Sequence, residues 1–290
     1  MVRFPVTYSP IIDRPPISWP NGARIAVQLV INIEYFEPGK PSTSINPGFA
    51  GLTPDVYNHS WRDYGVRAGI WRMMNILDKH QIPATVALNA DVCQHYPRII
   101  EEVVKRKWEF MGHGLTNSQF LTNLPVDEER EVICKTLDLI EKASGKRPKG
   151  WLGPGLAESW ATLQLLEDEG IAYVCDWLND DEPYFFDTAQ KRLLSVPYSG
   201  EINDIHCFLR AGYKGPDYLQ LLKDQFDVLY EEGVDRGTVM TIPLHPFIMG
   251  HPFRSAYFSQ ALQYMSDKRG VWFATGSEIA EAFVNGRSGS

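Results

Sequence analysis

The sequence predicts an α/β fold, a distorted (β/α) barrel of about seven strands, and three observations predict it. Apolar, β-branched runs alternate with segments of helical period along nearly the whole chain, the pattern of parallel strands joined by crossover helices. Polar and ionisable residues stand directly after those runs, where a parallel barrel gathers its chemistry. The length of 290 residues also suits one such barrel, which typically takes about 250 residues.

Arg24–Ile33 reads as a buried strand, and after a long loop Tyr64–His80 carries Val66, Ile70, Met74 and Leu77 at the spacing of one helix face. Ala84–Leu88 then leads into Pro97–Lys107, a helix opened by its proline, and Glu109–Gly112 leads into Val126–Ala143, striped by Ile133, Leu137 and Ile140. Further strands are expected at Lys149–Leu152, Ile171–Cys175, Leu193–Val196, Thr238–Leu244 and Val271–Ala274. The remaining helices are expected at Ser159–Glu169, Tyr218–Glu231, Ser255–Ser266 and Ser277–Phe283. Residues 1–290 are expected to form one domain, with an extended, proline-rich segment over 1–20 and a flexible tail over 285–290.

Composition narrows the function. A net charge of −8 and a single short basic cluster, Lys105 to Lys107, argue against a nucleic-acid partner. No apolar stretch approaches the roughly 20 residues of a membrane span. The amino terminus has no basic region followed by an apolar core, so a cytoplasmic location is expected. Cys93, Cys134, Cys175 and Cys207 are widely spaced with no CxxC pair, which predicts reduced thiols and no zinc knuckle.

The strand exits are polar in a regular way. Asn32 and Glu34 follow the first strand, His113 and Asn117 the third, Asp176 the fifth, Glu201, Asn203 and Asp204 the sixth, and His245 the seventh. His245 leaves a buried strand directly before a proline, which aims it at the barrel mouth.

These exits resemble the motifs of the polysaccharide deacetylase superfamily, in order, over about residues 20–285. Metal-dependent members end their first strand in two aspartates, one a base and one a metal ligand, and their third in a His-x-x-x-His pair. The corresponding stretches here are Ile31-Asn-Ile-Glu34 and His113-Gly-Leu-Thr-Asn117, and Ile242-Pro-Leu-His-Pro246 is similar to the segment carrying the family's late catalytic histidine. A closer resemblance is to the branch of metal-independent allantoinase and cyclic-imide hydrolases. It is carried by Trp19-Pro-Asn-Gly-Ala-Arg-Ile-Ala26, Tyr64-Gly-Val-Arg-Ala-Gly-Ile-Trp-Arg72, Asp180-Asp-Glu-Pro-Tyr184, Pro197-Tyr198 with Asn203-Asp204, and the run from Phe226 to Gly233. Leu152-Gly-Pro-Gly155 falls where deacetylases place an arginine motif and has no arginine. The branch implies a homo-oligomer, a tetramer by analogy.

Zinc sites of the family use one carboxylate and two imidazoles. An amide at Asn117 offers only a neutral oxygen and Glu34 is longer than an aspartate, so no metal is expected; if one binds, its ligands are Glu34, His113 and Asn117. A site without an ion suits a substrate whose leaving nitrogen is already activated, as in a cyclic amide, imide or ureide, with no cofactor required. The alternative cofactor is a divalent cation such as zinc. Catalytic candidates are Glu34, His245 and Glu201, with acid and base unassigned. Asn32, His113, Asn117, Trp151, Asp176 and Asn203 are candidates to contact a small-molecule substrate.

Structural roles compete with these. Glu34 can pair with Arg67 or Arg72, and His113 can be a core histidine bonded to a carbonyl. Two other functions stay open: a metal-dependent polysaccharide or N-acyl deacetylase, and a catalytically inactive binding homologue, for which Asn32 and Asn117 are the argument.

Overall fold

The computed structural model describes residues 4–40, 48, 51–122 and 124–288. Among them nine strands form one sheet: β1 (Ile25–Ile33), β2 (Thr85–Leu88), β3 (Glu109–Gly112), β4 (Gly150–Trp151), β5 (Tyr173–Val174), β6 (Tyr184–Phe185), β7 (Leu194–Ser195), β8 (Thr238–Leu244) and β9 (Val271–Phe273). Their order is β6-β7-β5-β4-β3-β2-β1-β8, with β9 against the start of β1. Every pairing is parallel except the antiparallel β6–β7. The expected strands are all present, and β6 is additional.

β1 is buried along its whole length and is the hub of the sheet. One edge pairs with β8 from Ile25 to Ile31; β9 and β2 pair with its beginning and its end. No ladder joins β8 to β7 or β6 among the described residues, so the barrel has a seam. The seam is bridged by Val239 N–H to the Asp181 carbonyl at 3.2 Å and by the Thr241 hydroxyl to the Pro197 carbonyl at 2.6 Å.

The helices cover the outside: α1 (Val56–Tyr64), α2 (Ile70–His80), α3 (Val92–His95), α4 (Pro97–Lys105), α5 (Val126–Ser144), α6 (Thr162–Asp168), α7 (Gly215–Glu232), α8 (Pro246–Met249), α9 (Pro252–Ser266) and α10 (Gly276–Ser288). α1 lies where a loop was expected, and runs into α2 through a π-helical turn at Gly65–Gly69. The carboxyl end also differs from the expected tail, because α10 continues to Ser288; residues 289 and 290 lie outside the described residues.

Strand alternation sorts side chains into two shells. Ile25, Val27, Leu29, Ile31 and Ile33 of β1 pack with Met74, Leu77, Phe226 and Leu262 of the covering helices. The opposite phase of β1, Ala26, Gln28, Val30 and Asn32, faces the barrel interior, where Ala26 and Val30 meet Met111, Tyr173 and Val239. The same phase carried past the strand ends reaches Glu34 after β1, Asn89 after β2, His113 after β3, Leu152 after β4 and His245 after β8. The residues of interest therefore stand in one layer at the C-terminal mouth, a consequence of period-two geometry across five strands.

The N-terminal segment is extended apart from short turns at Ile11–Asp13 and Pro20–Gly22. Arg14 pairs with Asp180 at 2.6 Å, and buried Glu182 lies between Arg14 at 3.6 Å and Arg236 at 2.6 Å. The Cys93, Cys134, Cys175 and Cys207 thiols are free. No helix among the described residues is long and apolar enough to cross a membrane.

Candidate active site

A cavity of about 510 Å³ opens at the C-terminal ends of the strands. Its floor holds Glu34, with a side chain only 7% exposed, between two imidazoles. Nε2 of His113 lies 3.7 Å and Nε2 of His245 3.6 Å from Glu34 Oε1. The expected pairing of Glu34 with Arg67 or Arg72 does not occur: Arg67 pairs with Asp63, and Arg72 donates to Tyr64 and to the Gly250 carbonyl.

Each imidazole is fixed from behind. His245 Nδ1–H donates to Asp204 Oδ1 at 2.7 Å, and the other oxygen of Asp204 accepts the His245 backbone N–H at 2.7 Å. His113 Nδ1–H donates to the Leu152 carbonyl at 2.6 Å, so the commoner structural role and a place in the site coexist in one residue. Its Nε2, together with Glu34 Oε2, is buried with no hydrogen-bond partner among the described residues. A water placed between these two atoms would meet both over the cavity floor.

The charges follow from this packing. Burial works against ionising Glu34, yet the imidazoles of His245 and His113 outweigh it and hold its carboxyl well below the usual carboxylate range. Burial likewise opposes the charge on His245, but the carboxylates of Asp204 and Glu34 win and push it up to about 10. At neutral pH the pair is a carboxylate beside an imidazolium.

Asn117 settles how the third position of a metal site is filled. Its Nδ2 donates to Glu34 Oε1 at 2.6 Å, and its Oδ1 accepts from Asn89 Nδ2 at 3.0 Å. Asn89 is itself anchored, donating to the His113 carbonyl and accepting the Tyr35 N–H at 2.8 Å. The amide thus turns its N–H groups, not its oxygen, toward Glu34. Donor hydrogens repel a cation, so of the set Glu34, His113 and Asn117 one carboxylate and one imidazole remain for it, His245 being held protonated by Asp204, and the set does not fit zinc. Among the described residues no group of three or more His, Cys, Asp or Glu is placed to hold a metal ion.

Asn32 donates to the Leu244 carbonyl and to the Tyr198 hydroxyl, each at 3.3 Å. An aspartate there would set its oxygens against a carbonyl. Asn203 lines the cavity with its Oδ1 engaged by the Ile205 N–H. Glu201 is exposed at the rim, and no hydrogen bond or ion pair among the described residues joins its carboxylate to Glu34 or His245.

Two expected contact residues do not line the cavity. Trp151 is fully buried against Leu137, Leu163 and Val174, because it is out of phase with Leu152 and points to the opposite shell. Asp176 lies beneath the wall, where its Oδ1 accepts the Gly153 N–H at 2.7 Å. Three residues that sequence reasoning passed over complete the site. Asp204 was visible as a polar strand exit, and Asn89 follows β2 by the same rule. Arg62, on the cavity wall from α1, had no such signal.

The polysaccharide deacetylase family pattern matches residues 58–174. A Schizosaccharomyces pombe protein provisionally named a polysaccharide deacetylase is 31% identical over 91% of this chain and 92% of its own length. A solved Pseudomonas aeruginosa structure, also provisionally named a polysaccharide deacetylase, superimposes with a TM-score of 0.86 at 30% identity, covering 94% of this chain and 95% of that one. The structure of PuuE allantoinase gives 0.85 at 28% identity, with 97% and 98% covered.

Proposed function

The chain belongs to the polysaccharide deacetylase family of carbon–nitrogen hydrolases, and from that premise we propose that it opens the ring of a small cyclic amide, imide or ureide without a bound metal. The observation that carries this reading is the orientation of Asn117, whose N–H groups face the carboxylate where a cation's third ligand would stand.

Without an ion, water must be activated and the leaving nitrogen protonated by side chains. Glu34 is ionised and serves as base toward a water held between it and His113; His245 is protonated and serves as acid toward the leaving nitrogen. Asp204 keeps the imidazole oriented and charged. An ordinary acetamide expels a strongly basic amine, which this arrangement helps only at departure. In an imide or ureide the departing nitrogen spreads its charge onto a neighbouring carbonyl, so the addition step becomes the demanding one, and Glu34 and its water supply it.

The second reading, a metal-dependent N-acyl deacetylase, draws on the names of the relatives and on His113 Nε2, which faces Glu34 across 3.7 Å. Steady-state hydrolysis of succinimide, hydantoin, allantoin and an N-acetylated aminosugar, each with and without chelator, separates the two. Cyclic substrates should turn over in chelator. Turnover of the aminosugar alone, abolished by chelator, would reject the proposal. Glu34→Gln and His245→Ala should each lower kcat about 100-fold or more, since positioned acid–base groups contribute roughly 10²–10⁴.

A further inference from the structure

Hydrolysis of a cyclic amide creates an anion. Water adds to the carbonyl carbon and Glu34 takes one of its protons; the C–N bond breaks as His245 gives its proton to nitrogen; the new carboxylic acid returns a proton to His245 and Glu34 releases its own to solvent, leaving a carboxylate where the carbonyl stood. The inner cavity already sets two carboxylates, Glu34 and Asp204, against one imidazolium, His245, so a new carboxylate needs a further cation.

Arg62 is placed to be that cation. It lines the site cavity together with Glu34 and Phe36, and the same three residues line a second, smaller recess. Its guanidinium lies 3.5 Å from the centre of the Phe36 ring, a contact that holds a planar cation against the wall. Burial pulls its charge down, to about 10, while the fields of Glu34 and Asp55 support it. Asp55, at the start of α1, already receives the Asn58 N–H at 3.0 Å and the Asn58 side-chain amide at 2.6 Å. The other cavity arginine, Arg210, is exposed. Arg62 is thus the guanidinium of the inner wall, within the electrostatic field of the base.

We propose that Arg62 is the carboxylate-binding residue of this cavity, holding the carboxylate that ring opening creates. The inference rests on the ring-opening reading for its ligand class, and it assigns the scissile carbonyl to the α1 side of Glu34. A planar guanidinium matches a carboxylate with two parallel hydrogen bonds, which a lysine cannot reproduce.

Calorimetric binding at pH 7 tests this without turnover. The probes are N-carbamoylglycine, the ring-opened form of hydantoin, and its neutral primary amide. The wild-type protein should bind the carboxylate about 10-fold or more tighter than the amide, because charge-assisted pairs exceed neutral ones by that order. Arg62→Met keeps the apolar stem and should erase the preference, weakening the carboxylate more than the amide; Arg62→Lys should restore part of it. Absence of a carboxylate preference in wild type, or its survival in Arg62→Met, overturns the inference. If cyclic substrates turn over while either result is found, only Arg62 loses its role. An Arg62-dependent preference in a protein that opens none of the rings keeps the anion site and rejects the ring-opening reading instead.

Discussion

At the residue scale, the protonation of the site is set by who stands behind each imidazole. Asp204 accepts both the ring N–H and the backbone N–H of His245, so it fixes orientation and charge together. With His245 pushed up to about 10, the alkaline limb of kcat/KM for a protonated acid falls near that pH, while the acid limb lies below the usual carboxylate range. Asp204→Asn removes one of the two carboxylates that raise His245, and should move the alkaline limb down by about one unit or more, read from the pH profile of the best cyclic substrate. Stability carries the same sign. A histidine raised in the folded state contributes below its unfolded value of 6.5 and loses that contribution as pH rises through about 10, so wild type and Asp204→Asn should converge in stability at the alkaline end. Asn117 permits the converse experiment. Asn117→His replaces N–H donors by a lone pair, and zinc affinity measured by calorimetry should rise about 10–100-fold or more. An unchanged affinity would mean that the length of Glu34, rather than the amide, excludes the ion.

At the element scale, two contacts couple secondary structure to the site. A Cβ on Gly69 would stand 2.1 Å from the Pro246 carbonyl oxygen, and one on Gly65 would stand 2.8 Å from the Phe247 N atom. The turn joining α1 to α2 therefore packs backbone to backbone on α8, the residues that follow His245. Gly69→Ala should cost roughly 1–3 kcal/mol in denaturant unfolding and lower kcat as well, because relief requires moving the segment that aims the imidazole. The loops after β4 and β5 are tied by acids: Trp177 Nε1–H donates to Glu158 at 3.2 Å, and Asp176 accepts the Gly153 N–H. Burial and the neighbouring Asp176 push the Glu158 carboxyl up to about 10, so the folded state keeps a proton there that the unfolded chain loses near 4.5. Stability attached to this acid falls as pH rises between those values; Glu158→Gln, a neutral donor at every pH, should gain on wild type in Tm from pH 5 to pH 9. A gap that is constant with pH would remove the buried proton. Elements of this kind divide sharply in how far the sequence reveals them. β1 and β8 are continuous apolar runs and are plain from sequence. α1 is not, because Asn58 is its only buried residue and it carries no apolar stripe. β6 is two residues long and lies below any periodicity. The same limit hid the partnership of Asp204 with His245, 41 residues apart, whose contact exists only once the barrel is closed. Trp151 misled for the opposite reason: aromatic character does not report which of two faces a strand residue takes.

At the scale of the whole molecule, the two ends of the barrel are built for different tasks. The mouth keeps two buried polar atoms, Glu34 Oε2 and His113 Nε2, with no hydrogen-bond partner among the described residues, whereas at the other end both oxygens of the Glu109 carboxylate are engaged. Glu109, at the start of β3, accepts from the Thr85 hydroxyl at 3.0 Å, the Tyr173 hydroxyl at 2.9 Å, the Ser277 N–H at 3.2 Å and the Ser277 hydroxyl. It thereby joins β2, β3, β5 and the first turn of α10, where a negative charge also meets the positive end of the helix. Thr85 extends the link by accepting the Gly276 N–H at 3.0 Å and the Gln28 side-chain N–H at 3.2 Å, and Gln28 reaches Thr241 across the interior, 3.2 Å from its Oγ1. This polar floor reaches β8, the strand beside the seam, through side chains where no backbone ladder closes the ring. Glu109→Ala strands the donors of three residues at once, each costing about 1–3 kcal/mol when desolvated and unpaired. With about 3 kcal/mol or more lost, the Tm should fall by about 6 °C or more, given roughly 2–4 °C per kcal/mol for chains of comparable size. At temperatures where the variant remains folded, its kcat on a cyclic substrate should stay within about twofold of wild type, because the cluster lies at the opposite end from Glu34. Glu34→Gln should instead lower kcat about 100-fold or more at temperatures where the variant remains folded. If Glu109→Ala instead loses kcat in proportion to Tm, the floor also sets the geometry of the mouth, and the division of the barrel into a stabilising end and a reactive end is wrong.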